Sequence, residues 1–345
     1  MLTLLRQVPL NTKGCRPRGG SPAASDSNAW KPWRPGCPSA GSSPSRGAAV
    51  YTRNSLPARQ RRSPPHDLVR FDRAPVGEVA LTHQFAGEVV DLDVLAGFAS
   101  AVRSELPNRQ RQPAAPRIRE LFDVPQPQPQ FEISLEPPNA LPRTWFISSD
   151  GSRLVQLQGD RISLNWRRPD DASKYPSYTT LRREFRRYFA TLRKAIEEAG
   201  GPAPEVDLSE VTYVNPVEAP VPPKGGGHPE LAKILNRVRP RPPKAFLPHA
   251  EDAQIHTRWR IQGSEIGVAD RPAGRLYMSA APGLKPPASM PIYILTMVGR
   301  VIPAGGSDRA TWSALDIAHK WVVLGFTDLT TPEMHDHWGF KGRKA

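Results

Sequence analysis

The segment VQLQGDRISLNWRR, at residues 155–168, constrains the fold more strongly than any other part of the sequence. Apolar and polar residues alternate on both sides of Gly159-Asp160, and alternation around a two-residue turn predicts a β-hairpin with strands at 153–158 and 161–167. One face of this hairpin is apolar and is expected to pack on a helix. The other face is polar and carries two glutamines, an asparagine and an arginine.

The residues around the hairpin predict the rest of a first unit, over residues 71–215. We expect strands at 77–85 and 144–149 and a helix at 91–106. The clearest helix is 178–198, because apolar side chains recur along it every three or four residues: Tyr178, Leu181, Phe185, Tyr188, Phe189, Leu192 and Ile196. These elements describe an antiparallel meander with helices on one face.

A second unit repeats this order of elements over residues 250–340. Its alternating segments predict strands at 253–262, 275–280 and 292–302, and its periodic segment predicts a helix at 308–324. The sequence therefore predicts an α+β protein of two similar halves, each an antiparallel meander of about three strands backed by a long amphipathic helix. We expect the two meanders to shield each other's open sheet faces.

The net charge of +14 is concentrated at the start of the chain. Residues 1–66 hold eleven Lys and Arg side chains against a single acid, and they are rich in Pro, Ser and Gly. Such a segment cannot bury enough apolar surface to offset the entropy lost on ordering, so we expect a disordered basic tail. An overextended gene start would give the same composition.

Two further proline-rich stretches separate the predicted elements. Residues 107–142 include nine prolines and the repeat QPQPQPQ, which favour an extended polyproline conformation, and one short alternating strand is expected at 131–135. Residues 216–249 hold nine more prolines and the sequence KGGGHP, and they predict a connector with a short helix at 230–239.

The motif content gives no support to several common classes of enzyme. The sequence contains no GxSxG, GxxxxGK[ST] or GxGxxG. Both cysteines, Cys15 and Cys37, lie in the tail, so the remainder has neither a disulfide nor a cysteine metal site. No apolar run approaches the ~18 residues that a membrane span requires. We therefore expect a non-enzymatic, cytoplasmic protein with no cofactor and no membrane partner.

The polar hairpin face carries the candidate binding residues Gln156, Gln158, Asn165 and Arg167. Side-chain amides and a guanidinium make directional hydrogen bonds, which suits contact with a partner protein. The same residues also suit a half-buried polar network that sets the contact between the two halves. In both interpretations these side chains are hydrogen bonded rather than loosely solvated.

A second hypothesis is nucleic-acid binding through the basic tail and the helix at 178–198. This helix carries six cations on its outer side: Arg182, Arg183, Arg186, Arg187, Arg193 and Lys194. Phosphate contacts require such charges. Acidic residues interleave with them, however, and no aromatic side chain lies on this side for base stacking, so a solvated helix face is the alternative interpretation.

A third hypothesis is a metal-dependent hydrolase that uses His319, His335 and His337. The sequence MHDHWG places two of these histidines around Asp336, and such groups bind zinc or iron. The spacing matches no HExxH or zinc-finger pattern. His319 also lies on the apolar stripe of its predicted helix, which favours a core histidine.

Several motifs resemble those of a sporadically distributed family of uncharacterised bacterial proteins. They are APVGEVALTHQF, VQLQGDRISLNWRR, YPSYTTLRREF, the YxN of VTYVNPVE, and AHKWVVLGFTDLTTPEMHDHWG. The resemblance covers roughly Phe71 to Phe340 and leaves out the basic tail. It implies no particular activity, cofactor or substrate. What it implies is patchy inheritance, as in mobile or defence-linked genes.

These observations together favour a protein-binding module over an enzyme. The expected partner is another protein, such as a toxin or defence component from the same locus. The expected contact surface is exposed sheet around the four polar hairpin residues.

Overall fold

The computed structural model describes residues 68–123, 141–220, 227–240, 246–248 and 250–342. Their strands and helices, in chain order, are β1 Glu78–Phe85, α1 Leu92–Ala101, β2 Asn108–Gln112, β3 Arg143–Ile147, β4 Arg153–Gln158, β5 Arg161–Arg167, α2 Tyr178–Glu198, β6 Val206–Val217, α3 Leu231–Ile234, β7 Ile255–Ile261, β8 Gly274–Lys285, β9 Met290–Val301, α4 Asp308–Leu329 and α5 Pro332–Trp338. Helices combine with an antiparallel sheet, so the predicted α+β class is confirmed.

The nine strands of the described residues form one antiparallel sheet with the order β2-β3-β4-β5-β1-β6-β9-β8-β7. Strands from both predicted units, 71–215 and 250–340, therefore lie in the same sheet. The expectation that the two meanders shield each other's open faces is wrong, because they are joined edge to edge and not stacked.

Strand β6 joins the two sets of strands. It pairs with β1 along one edge and with β9 along the other, so that Thr212 lies between Ala80 and Val298. The sequence does not predict this strand, because Ser209 interrupts its apolar alternation and Pro216 argues against a central strand. Hydrogen bonding along both edges outweighs these local disadvantages.

The long helices cover one face of the sheet, with α2 over β5 and β1 and α4 over β6 and β9. The predicted apolar stripe of α2 is buried, and Leu181, Phe185 and Leu192 are each at most 1 % exposed. The apolar hairpin face meets this side of the core as predicted, and its residues are all buried: Val155, Leu157, Ile162, Leu164 and Trp166.

Most differences between the predicted and observed elements lie at their ends. The hairpin strands and α2 have the predicted bounds, whereas α1 ends at Ala101 and α4 continues to Leu329. The short helix expected at 230–239 is a single turn. The strand expected at 131–135 and the tail at 1–66 lie outside the described residues.

A buried histidine lies where β1 and β6 meet α2 and α4. The Nδ1 atom of His83 is 3.0 Å from Ser209 Oγ, and its ring packs against Phe185 and Trp312 at centroid distances of 4.8 and 5.0 Å. Burial, with a smaller contribution from the positive charge of Arg182, lowers the pKa of His83 to about 3. The imidazole is therefore neutral in the folded protein at physiological pH.

We predict that His83 makes the protein sensitive to acid. Its pKa is about 6.5 when unfolded and about 3 when folded, so unfolding takes up a proton between these values. The stabilisation from neutral His83 is complete above pH 6.5 and is lost as the pH falls towards 3, at about 1.4 kcal/mol per pH unit. In urea unfolding, the free energy of unfolding of the wild type should fall by about 2 kcal/mol more than that of His83→Leu when the pH is lowered from 6.5 to 5. Equal losses in both proteins would contradict this.

Candidate functional site

The face of the sheet opposite the helices is crossed by one extended segment. Residues 113–123, which we call the strap, follow β2 and form neither helix nor strand. Contacts between sheet side chains and the strap run from Gln158 of β4 to Arg260 of β7. Because the strap backbone is not paired in a strand ladder, its polar groups need other partners, and side chains of the sheet provide several of them.

Two glutamines hold the strap backbone by paired hydrogen bonds. Gln158 accepts a hydrogen bond from Ala115 N at 2.7 Å and donates one to Ala115 O at 2.9 Å. Gln84 likewise accepts from Ile118 N at 2.8 Å and donates to Ile118 O at 2.9 Å. Each side-chain amide thus takes the place of a neighbouring strand for one strap residue. These contacts, which we call the glutamine clamps, do not depend on the side chain of that residue.

Arginines of the sheet make further contacts with the strap backbone. Three of them donate to its carbonyl oxygens: Arg161 to Pro116 at 2.9 Å, Arg275 to Leu121 at 2.6 Å and Arg260 to Phe122 at 3.0 Å. These contacts also recognise the main chain and not a particular side chain. Together with the glutamine clamps, they bind backbone groups of an extended segment from β4 to β7, at Ala115, Pro116, Ile118, Leu121 and Phe122.

One strap side chain is buried in a charged cluster. The Glu120 carboxylate is 0 % exposed, and it accepts hydrogen bonds from Arg275 at 2.6 Å, Tyr277 at 2.8 Å and Arg300 at 3.3 Å. Burial and the nearby Glu120 charge raise the pKa of Tyr277, so its hydroxyl stays protonated and donates. Removing one partner from such a buried group typically costs about 3–5 kcal/mol.

Two other strap side chains contact the sheet on either side of Glu120. Arg117 forms an ion pair with Asp207 of β6 and donates to Phe85 O at 2.6 Å. The ring of Phe122 lies 4.5 Å from the guanidinium carbon of Arg275, within cation–π range. The strap is therefore held both by its backbone and by a cation, a carboxylate and an aromatic ring.

The four predicted binding residues lie on this same face, but they bind one another and the strap. Gln158 forms the first glutamine clamp. Gln156 accepts from Trp145 Nε1 at 3.0 Å and donates to Asn165 Oδ1 at 2.7 Å. Asn165 in turn donates to Glu78 Oε1 at 2.6 Å. These three side chains are hydrogen bonded, as expected from the sequence.

Arg167 joins this network through an ion pair with Glu78 and a contact with the Trp145 ring, and its Nε makes no short hydrogen bond. That atom is 3.5 Å from Glu78 Oε1, and the guanidinium carbon is 5.3 Å from the centroid of Trp145. Asn165 is only 3 % exposed and Gln158 only 9 %. Neither is an open contact surface, and the partner of Gln158 is a segment of the same chain.

The strap residues are missed in the sequence because they lie in a proline-rich stretch. Residues 107–130 have no helical or strand periodicity that would mark a packed segment. A usable signal is APRIRELF at 115–122, where charged and large apolar residues interrupt the proline- and glutamine-rich composition.

The three candidate metal ligands are not brought together. His319 lies in α4 with its ring stacked on Tyr178, whereas His335 and His337 lie in α5. The Nε2 atom of His335 is 2.8 Å from Thr330 Oγ1. Within the described residues, no group of three or more His, Cys, Asp or Glu side chains is placed to hold a metal ion.

Most of the cations on the outer side of α2 are paired with acids. The pairs are Arg182 with Asp316, Arg187 with Glu105, Arg193 with Asp308 and Lys194 with Glu198. These acids offset charge that contact with phosphates would require. Nucleic-acid binding stays a prediction, and the basic tail that it also involves lies outside the described residues.

No protein-family model and no curated protein sequence matches this chain. The family resemblance of its motifs therefore stays a prediction. In the part of the chain that the structure describes, no helix is both long and apolar enough to cross a membrane.

We predict that Gln84→Glu loosens the strap. Glutamate keeps the shape of glutamine but loses the NH2 group that donates to Ile118 O, and it places a carboxylate beside Asp207. Loss of a partner costs about 1–3 kcal/mol at a fully buried carbonyl, and at the part-buried Ile118 carbonyl about 1 kcal/mol is enough to open the strap more often. Trypsin should then cleave after Arg117 and Arg119 about tenfold faster than in wild type.

Gln110→Glu is the matched control for this variant. Gln110 lies on the exposed edge strand β2, so the same change of atoms should leave cleavage of the strap unchanged. Identical cleavage rates in the two variants would show that Gln84 does not hold the strap.

Proposed function

We propose that this protein is a protein-binding module that holds an extended segment of a partner on the sheet face occupied by the strap. The observation that supports this function is the set of glutamine clamps and arginines that bind backbone groups of an extended segment without strand pairing. Such contacts do not depend on the clamped side chains, so a segment from another protein can make them as well. The strap is then an internal ligand that the partner displaces.

The strap's own side chains indicate the chemistry of the partner. We expect the partner segment to carry a cation that reaches Asp207, a carboxylate at the position that Glu120 takes in the strap, and an aromatic ring two residues further along. A segment with no carboxylate at the central position leaves Arg275 without its carboxylate partner at a buried site and removes one of the two carboxylates beside Arg300, which also pairs with Glu210. Loss of the partner of a buried charge is costly. We therefore expect the site to require a carboxylate at the position of Glu120 more strongly than any other side chain of the partner segment.

Competition with the strap sets a threshold for binding. A tethered segment acts at an effective concentration in the millimolar range, so a weakly bound partner does not displace it. In the absence of a partner, the strap keeps this face of the sheet covered. A module of this kind responds to partners that exceed the affinity of its own segment.

Two predictions from the sequence belong to this proposal. The meanders β3–β5 and β7–β9 are each followed by a long helix, and we propose that they derive from an internal duplication.

The patchy inheritance implied by the family resemblance favours a partner encoded nearby, such as a toxin or defence component. Binding of this kind requires no catalytic group.

We predict that a labelled peptide with the sequence of residues 112–123 binds in trans to a strap-weakened variant. The variant carries Glu120→Gln and Phe122→Ala, which remove the charge and the ring while keeping Gln84 and Gln158. Fluorescence anisotropy should show binding at least about tenfold tighter than to wild type, whose intact strap competes.

Two matched reagents test the specificity of this binding. A peptide with alanine in place of its glutamate should bind about tenfold more weakly, because it leaves the buried guanidinium of Arg275 without a carboxylate partner. Adding Gln84→Glu to the strap-weakened protein should also weaken binding of the unaltered peptide. Equal anisotropy in all combinations, with unchanged circular dichroism, would contradict the proposed function.

A further inference from the structure

A cavity of about 720 Å³ lies on the helix side of the sheet, where the two sets of strands meet. It is lined by strands β6 and β9, by helix α4 and by the start of α2. Residues from 68–76, 175–177 and 341–342 complete its lining. Many of the lining residues are apolar or aromatic, including Phe71, Val76, Tyr213, Met297, Val322 and Phe326. Small-molecule sites commonly have volumes of about 300–1,000 Å³, so the cavity has a suitable size.

One wall of the cavity is a fixed stack of rings. Tyr178 and His319 lie parallel at a centroid distance of 3.6 Å, and Tyr213 lies 6.1 Å from His319. Asp316 accepts a hydrogen bond from the Tyr178 hydroxyl at 2.8 Å and another from Arg182 Nε at 2.7 Å. The two rings cover each other and are each only 5 % exposed, so they contribute a rigid aromatic wall and not an open ring face. A wall that is ordered in advance costs a ligand little entropy and favours a flat one.

The cavity also presents neutral hydrogen-bonding groups. The hydroxyl oxygens of Tyr175 and Tyr213 are 2.7 Å apart, so one donates to the other and the second keeps its own proton for a further acceptor. Burial raises the pKa of both tyrosines, and they stay protonated at physiological pH. Asn215 uses its Nδ2 to bind Leu295 O, which orients its amide in the cavity lining.

The charges among the lining residues favour an anion. Asp72 and Lys341 form an ion pair at 2.8 Å and offset each other. Arg70 is exposed beside them, and it forms no ion pair with any residue that the structure describes. Among the residues that the structure describes, one positive charge is therefore left without a counter-charge at this edge of the cavity.

Backbone strain lies in the same wall. Ser177, which caps α2 and lines the cavity, has φ 87° and ψ 149°, a combination that normally requires glycine. Such strain persists where the surrounding structure fixes the backbone, and it clusters at ligand sites. This supports a functional role for the cavity independently of its size and lining.

We propose that this cavity binds a small, flat, mainly apolar molecule that carries one anionic group, such as an aromatic acid. The ring body packs on the wall formed by Tyr178 and His319, and the anionic group lies beside Arg70. The strap lies on the opposite face of the sheet, so this site goes beyond the proposed protein binding and can fail or succeed separately from it.

Two naphthalene probes match this chemistry. 8-Anilinonaphthalene-1-sulfonate and N-phenyl-1-naphthylamine both fluoresce in apolar sites, and they differ only by the sulfonate. Wild type should bind one molecule of each, with the sulfonate bound about fivefold more tightly. Arg70→Gln should remove this preference without changing the affinity for the uncharged probe.

Variants that fill the cavity test whether the probes bind inside it. Val323 lines the cavity and the adjacent Leu324 does not, so Val323→Trp should weaken both probes at least about tenfold and Leu324→Trp should leave them unchanged. Circular dichroism and urea unfolding verify that both variants are folded. If folded Val323→Trp binds the probes as wild type does, or if Arg70→Gln keeps the full preference for the sulfonate, the proposal is overturned.

Discussion

A sheet of nine strands has two broad faces, and the rest of the structure follows from the need to cover both. The long helices cover one face with an apolar core. The other face is polar, and an extended strap lies across it with several of its backbone groups bound by sheet side chains. Glu120, buried between Arg275 and Arg300, anchors that strap. The strap thus completes the fold by covering the second face of the sheet, and it is also bound in the way that a peptide ligand would be.

The sequence predicts the local elements of this fold better than their assembly. The hairpin β4–β5 and helix α2 follow from periodicity, because residues close in the chain determine them. Strand β6 is missed because Ser209 and Pro216 disturb its pattern, and with it the pairing to β1 and β9 is missed. Without β6, two separate meanders would have to stack to bury their faces. With β6 present, they join into one sheet.

The candidate site shows the same division between local and long-range information. The polar hairpin face is predictable, and the expectation that Gln156 and Asn165 are hydrogen bonded is confirmed. The partner of Gln158 is Ala115, 43 residues earlier in a stretch without periodicity, and no local pattern connects the two. The cavity likewise combines Tyr178 with side chains from β6, β9 and α4, which only the assembled sheet brings together.

Amide hydrogen exchange of the wild-type protein tests most directly whether the sheet holds the strap as a ligand. The amides of Ala115 and Ile118 donate to the oxygens of Gln158 and Gln84. If these contacts persist in solution, both amides exchange at least about a hundredfold more slowly than in an unstructured peptide. Exchange of both amides at the rate of an unstructured peptide would contradict the account.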